Sequence, residues 1–88
     1  MKIPITIGWR LAKRYNYFDN YGCPLFHALK QAGVDVSAVC GSTFLVNGTV
    51  YRIDAPWDTA VQSHVIHSHE SAKFYLDTEQ KALVACNE

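Results

Sequence analysis

The sequence predicts an α+β fold: a small antiparallel or mixed sheet with two to three helices packed on one face. Three observations carry this. Asn47-Gly48 sits between two short apolar runs, 43–46 and 49–54, and is the strongest short-range hairpin signal a sequence offers. Ile3, Ile5 and Ile7 alternate with Lys2, Pro4 and Thr6, the period-two pattern of a strand with one buried face. Pro24 and Gly33 bracket a run that is apolar on one side only, which marks both ends of a short helix. Strand and helix patterns interleave, and the one sharply marked connection is antiparallel, so helices layered on a mainly antiparallel sheet are expected. The 88 residues show no repeat, low-complexity segment or linker, so a single compact domain spanning 1–88 is expected.

Pro4 cannot donate to a ladder, which predicts that the first strand lies at a sheet edge or has its Pro4 side unpaired. Residues 9–15 read as a short helix. Leu11, Tyr15 and Phe18 fall on its inner side, while Arg10, Lys13, Arg14 and Tyr17 share the other. The run from Tyr15 to Tyr21 is expected to be an ordered loop, because so much aromatic surface is costly to leave in water. In the helix from Pro24 to Gly33, Leu25, Ala28, Leu29 and Ala32 form the inner face, with Cys23 near the N-cap.

Val34, Val36 and Ala38 alternate with polar residues, giving a second strand, and Cys40-Gly41-Ser42 reads as a turn. A two-residue hairpin loop sets Phe44 opposite Tyr51 and Val46 opposite Thr49 on the core side, with Ile53. Leu45 and Val50 then pair on the other side beside Arg52, half exposed. Asp54-Ala55-Pro56 reads as a helix start, with Trp57, Val61 and Val65 on one face, Ala60 beside them and an end near Ser68. Phe74 and Leu76 alternate with Lys73, Tyr75 and Asp77 in a further strand. After the turn residues 78–80, Ala82 to Ala85 fit a last strand or a short helix.

Formal net charge is zero, which speaks against an acidic nucleic-acid mimic and against a generally basic binder. The charges are nevertheless segregated. Residues 1–30 carry Lys2, Arg10, Lys13, Arg14 and Lys30 against Asp19 alone. No apolar run approaches the roughly 18 residues of a membrane span, and there is no secretory h-region. Three cysteines are too few for a disulfide scaffold, so a cytoplasmic protein is expected, in the host cytoplasm if phage-encoded. Asn47-Gly48-Thr49 matches a glycosylation acceptor and is read as a turn.

The block Cys23-Pro24-Leu25-Phe26-His27-Ala28-Leu29-Lys30 resembles the CP-x-x-x-A-L-K helix start of a group of short uncharacterised tailed-phage proteins. Val46-Asn47-Gly48 with Tyr51, Val65-Ile66, and Phe74 with Leu76 match the rest of that outline, over residues 20–77. The aromatic N-terminal loop, the histidine-rich helix end and the C-terminal extension depart from it. The resemblance implies a phage or prophage setting. Small accessory proteins there act by binding and inhibiting host machinery, including defence complexes such as CRISPR, so an anti-CRISPR-like role is one expectation.

Three constellations are candidates for chemistry. Cys23 and His27 lie four apart. A helix N-terminus and an imidazolium lower a thiol pKa, as a nucleophile requires. The plainer reading is a capping cysteine and an exposed histidine, and a chain this short has little framework for an oxyanion hole. His64, His67 and His69 cluster near a helix end, where His64 and His67 could share a metal with Cys23, Cys40 or Cys86. No C-x-x-C or H-E-x-x-H frame supports this, so neither metal nor cofactor is expected. Arg10, Lys13, Arg14 and Tyr17, with Trp9 and Tyr15 nearby, form a basic aromatic stripe. Such a stripe suits single-stranded nucleic acid, and it suits a protein interface, where Trp, Tyr and Arg dominate.

The expectation is therefore a non-enzymatic protein that binds a host protein or complex stoichiometrically. The partner-binding residues are expected to be Trp9, Arg10, Lys13, Arg14 and Tyr17, with Arg52 on the exposed hairpin face. A Cys23-dependent enzyme and a nucleic-acid-binding module are the alternatives. The apolar hairpin face also suits a homodimer.

Overall fold

The computed structural model describes residues 1–86. The elements are β1 (Lys2–Ile7), α1 (Trp9–Arg14), α2 (Pro24–Gln31), β2 (Val36–Cys40), β3 (Thr43–Val46), β4 (Thr49–Ile53), α3 (Thr59–Ser68), β5 (Ala72–Asp77) and β6 (Ala82–Ala85). The strands form one six-stranded sheet in the order β1-β5-β6-β4-β3-β2. All neighbours are antiparallel except β4 and β6, which run parallel across the crossover that contains α3. The architecture is α+β, as the sequence predicts.

Helix α2 packs against both β1 and β2, the two edges of the sheet. Six flat strands span roughly 24 Å at the usual spacing, about twice a helix diameter. One helix reaches both edges only because the sheet curls around it. Leu25 and Leu29 of α2 are fully buried, in one cluster with Ile5, Ile7, Phe44, Leu76 and Leu83 from the sheet. Ala12 of α1 and Val65 of α3 enter the same cluster. All three helices thus lie on the concave face.

Both ends of α2 are closed as their residues dictate. The Cys23 sulfur accepts from the Phe26 N–H at 3.4 Å, and Pro24 occupies the first turn. At the other end Gly33 turns left-handed (φ 84°), and the Gly33 and Val34 N–H groups return to the Lys30 and Leu29 carbonyls. This paired closure consumes Val34, so β2 begins at Val36, two residues later than the alternation suggests, and runs on to Cys40.

The hairpin has the predicted register: Phe44↔Tyr51, Leu45↔Val50 and Val46↔Thr49. Asn47 and Gly48 both have positive φ, which supplies the two-residue turn its right-handed twist. β1 is an edge strand, as Pro4 requires. Phe74 and Leu76 of β5 face the core, and Trp57 packs edge-to-face on Phe74 with centroids 6.2 Å apart.

Two helix assignments need correcting. α1 ends at Arg14, with Tyr15 extended, so the helical period cannot be carried on to residues 17 and 18. Ala12 rather than Tyr15 or Phe18 is its buried contact, and Phe18 is 74% exposed. α3 starts at Thr59, because Asp58 caps it by accepting from the Val61 N–H at 2.9 Å. Pro56 and Trp57 therefore precede the helix, and Ala60 is exposed. Val65 and the stop at Ser68 agree with the sequence reading. The aromatic loop divides: Tyr15 and Tyr17 are half-buried, whereas Phe18 and Tyr21 face solvent.

Residues 82–85 are a strand, and Asp77 explains why. Its Oδ1 accepts from the Glu79 and Gln80 N–H groups at 3.0 and 3.1 Å, which folds 78–81 into a turn. These donors, Gln80 foremost, with Lys2 and the N-terminal ammonium, hold the Asp77 carboxyl below the usual carboxylate range, against the opposing effect of burial. A depressed folded-state pKa stabilises the fold above the unfolded value, near about 3.9. That stabilisation drains away as pH falls through the folded pKa. Asp77→Asn is expected to be less stable than wild type at neutral pH, with the gap closing in acid; urea midpoints across that range check it.

Candidate functional site

Trp9 opens α1 directly after the extended N-cap Gly8, and Tyr15 closes it. Each ring is held against a histidine from a distant element. Trp9 stacks on His69 with centroids 4.1 Å apart and planes at 16°, and Tyr15 stacks on His27 at 3.7 Å and 21°. An arginine lies over each ring: Arg10 is 5.3 Å from the Trp9 centroid, and Arg14 is 5.4 Å from that of Tyr15. The result is two arginine–aromatic–histidine groups, one at each end of a six-residue helix.

His69 has left-handed backbone (φ 60°) as the C-cap of α3. A non-glycine residue there costs on the order of 1 kcal/mol or more, and the stack on Trp9 helps offset it. Gln62 of α3 ties the two helices further. Its Nε2 donates to the Ala12 carbonyl at 2.9 Å and to the Tyr15 carbonyl at 3.5 Å, covering orphan acceptors at the end of α1. Gln62→Ala is expected to destabilise the fold by about 1–2 kcal/mol. It should also speed amide exchange in α1 while leaving α2 protected, which hydrogen-exchange mass spectrometry would register.

Arg10, Lys13 and Arg14 are exposed. Among the described residues, no carboxylate lies within ion-pairing distance of any of them. Arg10, Leu11, Arg14 and Tyr15 line an open groove of about 480 Å³ that is completed by Thr6 of β1, by Gly8 just after it and by Gln31 of α2. The groove wall thus holds two guanidiniums and no acid.

The structure brings Trp9, Arg10, Lys13 and Arg14 together and separates the other two expected site residues from them. Tyr17 turns inward, 6.1 Å from the Trp57 ring, because the chain has left the helix by then. Burial, then Asp58, then Cys23 raise its phenol pKa. Arg52 lies on the convex face of the sheet, where it pairs with Asp54 at 3.2 Å. Val50 beside it is 58% exposed and Leu45 half-buried, as expected of that side of the hairpin.

Cys23 does not have the environment a lowered thiol pKa needs. It is buried, and desolvation pushes its thiol up, outweighing the hydrogen bonds donated to sulfur at the helix start. The His27 ring is engaged with Tyr15. The three clustered histidines face different partners. His64 lies 4.0 Å from Glu70, the His67 Nδ1–H donates to the Ser63 carbonyl at 2.7 Å, and His69 stacks on Trp9. Among the described residues, no group of three or more His, Cys, Asp or Glu side chains converges as a metal site would. No helix among the described residues is long and apolar enough to cross a membrane.

Compared with known proteins, the chain matches no family model, no curated protein and no solved structure.

Proposed function

We propose that this protein acts by stoichiometric binding, with the α1 face engaging an acidic surface on a partner protein. The observation that supports this reading is the pair of arginine–aromatic–histidine groups. Arginines already laid over anchored rings lose little rotamer freedom on binding, which is a main cost of forming an interface. Cations without a carboxylate partner are ready to take one from outside, and Arg prefers the two-pronged geometry of a carboxylate.

The same rings favour protein over single-stranded nucleic acid. Base stacking needs an open aromatic face, and here a histidine covers one face of each ring while an arginine lies over the ring as well. A phage or prophage setting, with the partner in a host defence complex, is the biological form of this proposal that the helix-start resemblance implies.

Capture from bacterial lysate, with and without nuclease treatment, using tagged wild-type protein tests it, with Arg10→Glu/Arg14→Glu as the control. The expected result is one protein retained in fixed ratio by wild type and lost by the variant. Retention of the same protein by both, or of nuclease-sensitive material alone, rejects the reading.

A further inference from the structure

Away from α1, the loop after Tyr15 closes over the start of α2 and the end of β2. It forms one wall of a partly open cavity of about 150 Å³ lined by Tyr17, Phe18, Cys23, Val39, Gly41 and Trp57, with Asn20 also contributing. Cys23, Val39 and Trp57 are buried, so they form a fixed floor. The wall is pinned as well: the Val39 N–H donates to the Asn20 carbonyl at 2.8 Å, which ties the loop to β2. Trp57 is itself wedged edge-to-face against Phe74.

An apolar cavity of this volume accommodates a single six-membered ring. Three aromatic side chains among the lining residues, Tyr17, Phe18 and Trp57, favour an aromatic occupant over an aliphatic one of equal size, since offset and edge-to-face ring pairs add to plain burial. None of the lining residues carries a charge, so an ionised ligand would be left unpaired. Tyr17 and Asn20 are the lining residues whose polar side chains suit one small polar substituent.

We propose that this cavity is a binding site for a small uncharged aromatic molecule, one ring with at most a single small polar group, seated against Trp57 and Tyr17. The proposal is independent of the α1 face and of any partner it binds.

Phenol, with cyclohexanol as the aliphatic control, is titrated into the full-length nitrogen-15-labelled protein. Saturable shifts are expected at the Cys23, Val39 and Gly41 amides and the Trp57 indole N–H, with an affinity in roughly the millimolar range. Cyclohexanol is expected to bind several-fold more weakly. Val39→Phe, which fills the cavity, is expected to weaken phenol at least about tenfold.

If Val39→Phe does not give a folded spectrum, Cys23 provides the second readout. In a Cys40→Ser/Cys86→Ser protein its thiolate attacks a small neutral disulfide, forming a mixed disulfide and expelling one thiolate. Phenol should slow that exchange several-fold. No saturable shift up to the solubility limit, shifts scattered over the surface, equal binding of cyclohexanol, or exchange indifferent to phenol would each overturn the proposal.

Discussion

Leu29→Ala is expected to remove a large fraction of the folding stability, read as a marked fall in the urea midpoint. Leu29 is fully buried on α2, the helix around which the sheet curls. Truncating a leucine in such a core costs about 3–5 kcal/mol. A chain of this length has a total stability of roughly 4–13 kcal/mol, so the loss takes about a quarter of it at least and most of it at the lower bound. The Leu29 carbonyl also accepts from the Val34 N–H, so its backbone fixes the route into β2. Because α2 bridges both sheet edges, the loss should appear as one cooperative transition at lower urea. A two-step transition would mean that the edges do not depend on a common helix.

Reversing both arginines of the α1 groove, Arg10→Glu/Arg14→Glu, is expected to weaken partner binding by more than about a hundredfold. Truncating one member of a desolvated charge pair at an interface typically costs about 2–5 kcal/mol, and reversal adds repulsion against an acidic partner. Stability should change little, because both side chains are exposed and neither has a carboxylate partner among the described residues. Arg52→Glu, on the convex face, should leave partner affinity within about threefold, in keeping with the small effect of charges outside an interface. Isothermal titration with the captured partner separates these outcomes.

The parts of the fold that were legible in the sequence are those fixed by neighbouring residues. Asn47-Gly48 sets its own turn and thereby every pairing in β3 and β4. Pro24 and Gly33 delimit α2 through backbone preferences that hold in any surroundings. The misplacements arise where a side chain diverts the backbone locally. Asp58 starts α3 later than Pro56 suggests, and the Val34 closure delays β2. Asp77 decides between strand and helix at 82–85 through hydrogen bonds that the residue types alone leave open.

At the candidate site, the basic residues of α1 were legible from charge and spacing. Their supports were not. His27 and His69 come from other elements, and a histidine in the sequence gives no sign that it will stack on a particular ring. Gln62 reaches α1 across 50 residues, and nothing in the pattern of α3 marks it out. Tyr17 went to the wrong face because the helical period was extended beyond the helix. The cavity at Trp57 depends on a loop closing on β2, and no local pattern encodes that closure.

The central claim is that the α1 face is the one that meets the partner. Hydrogen–deuterium exchange of the full-length protein, with and without saturating captured partner, tests it most directly. The account predicts protection confined to residues 6–15 and the neighbouring end of α2 around Gln31. Protection centred instead on the hairpin, residues 43–53, with residues 6–15 exchanging as in the unbound protein, would contradict it.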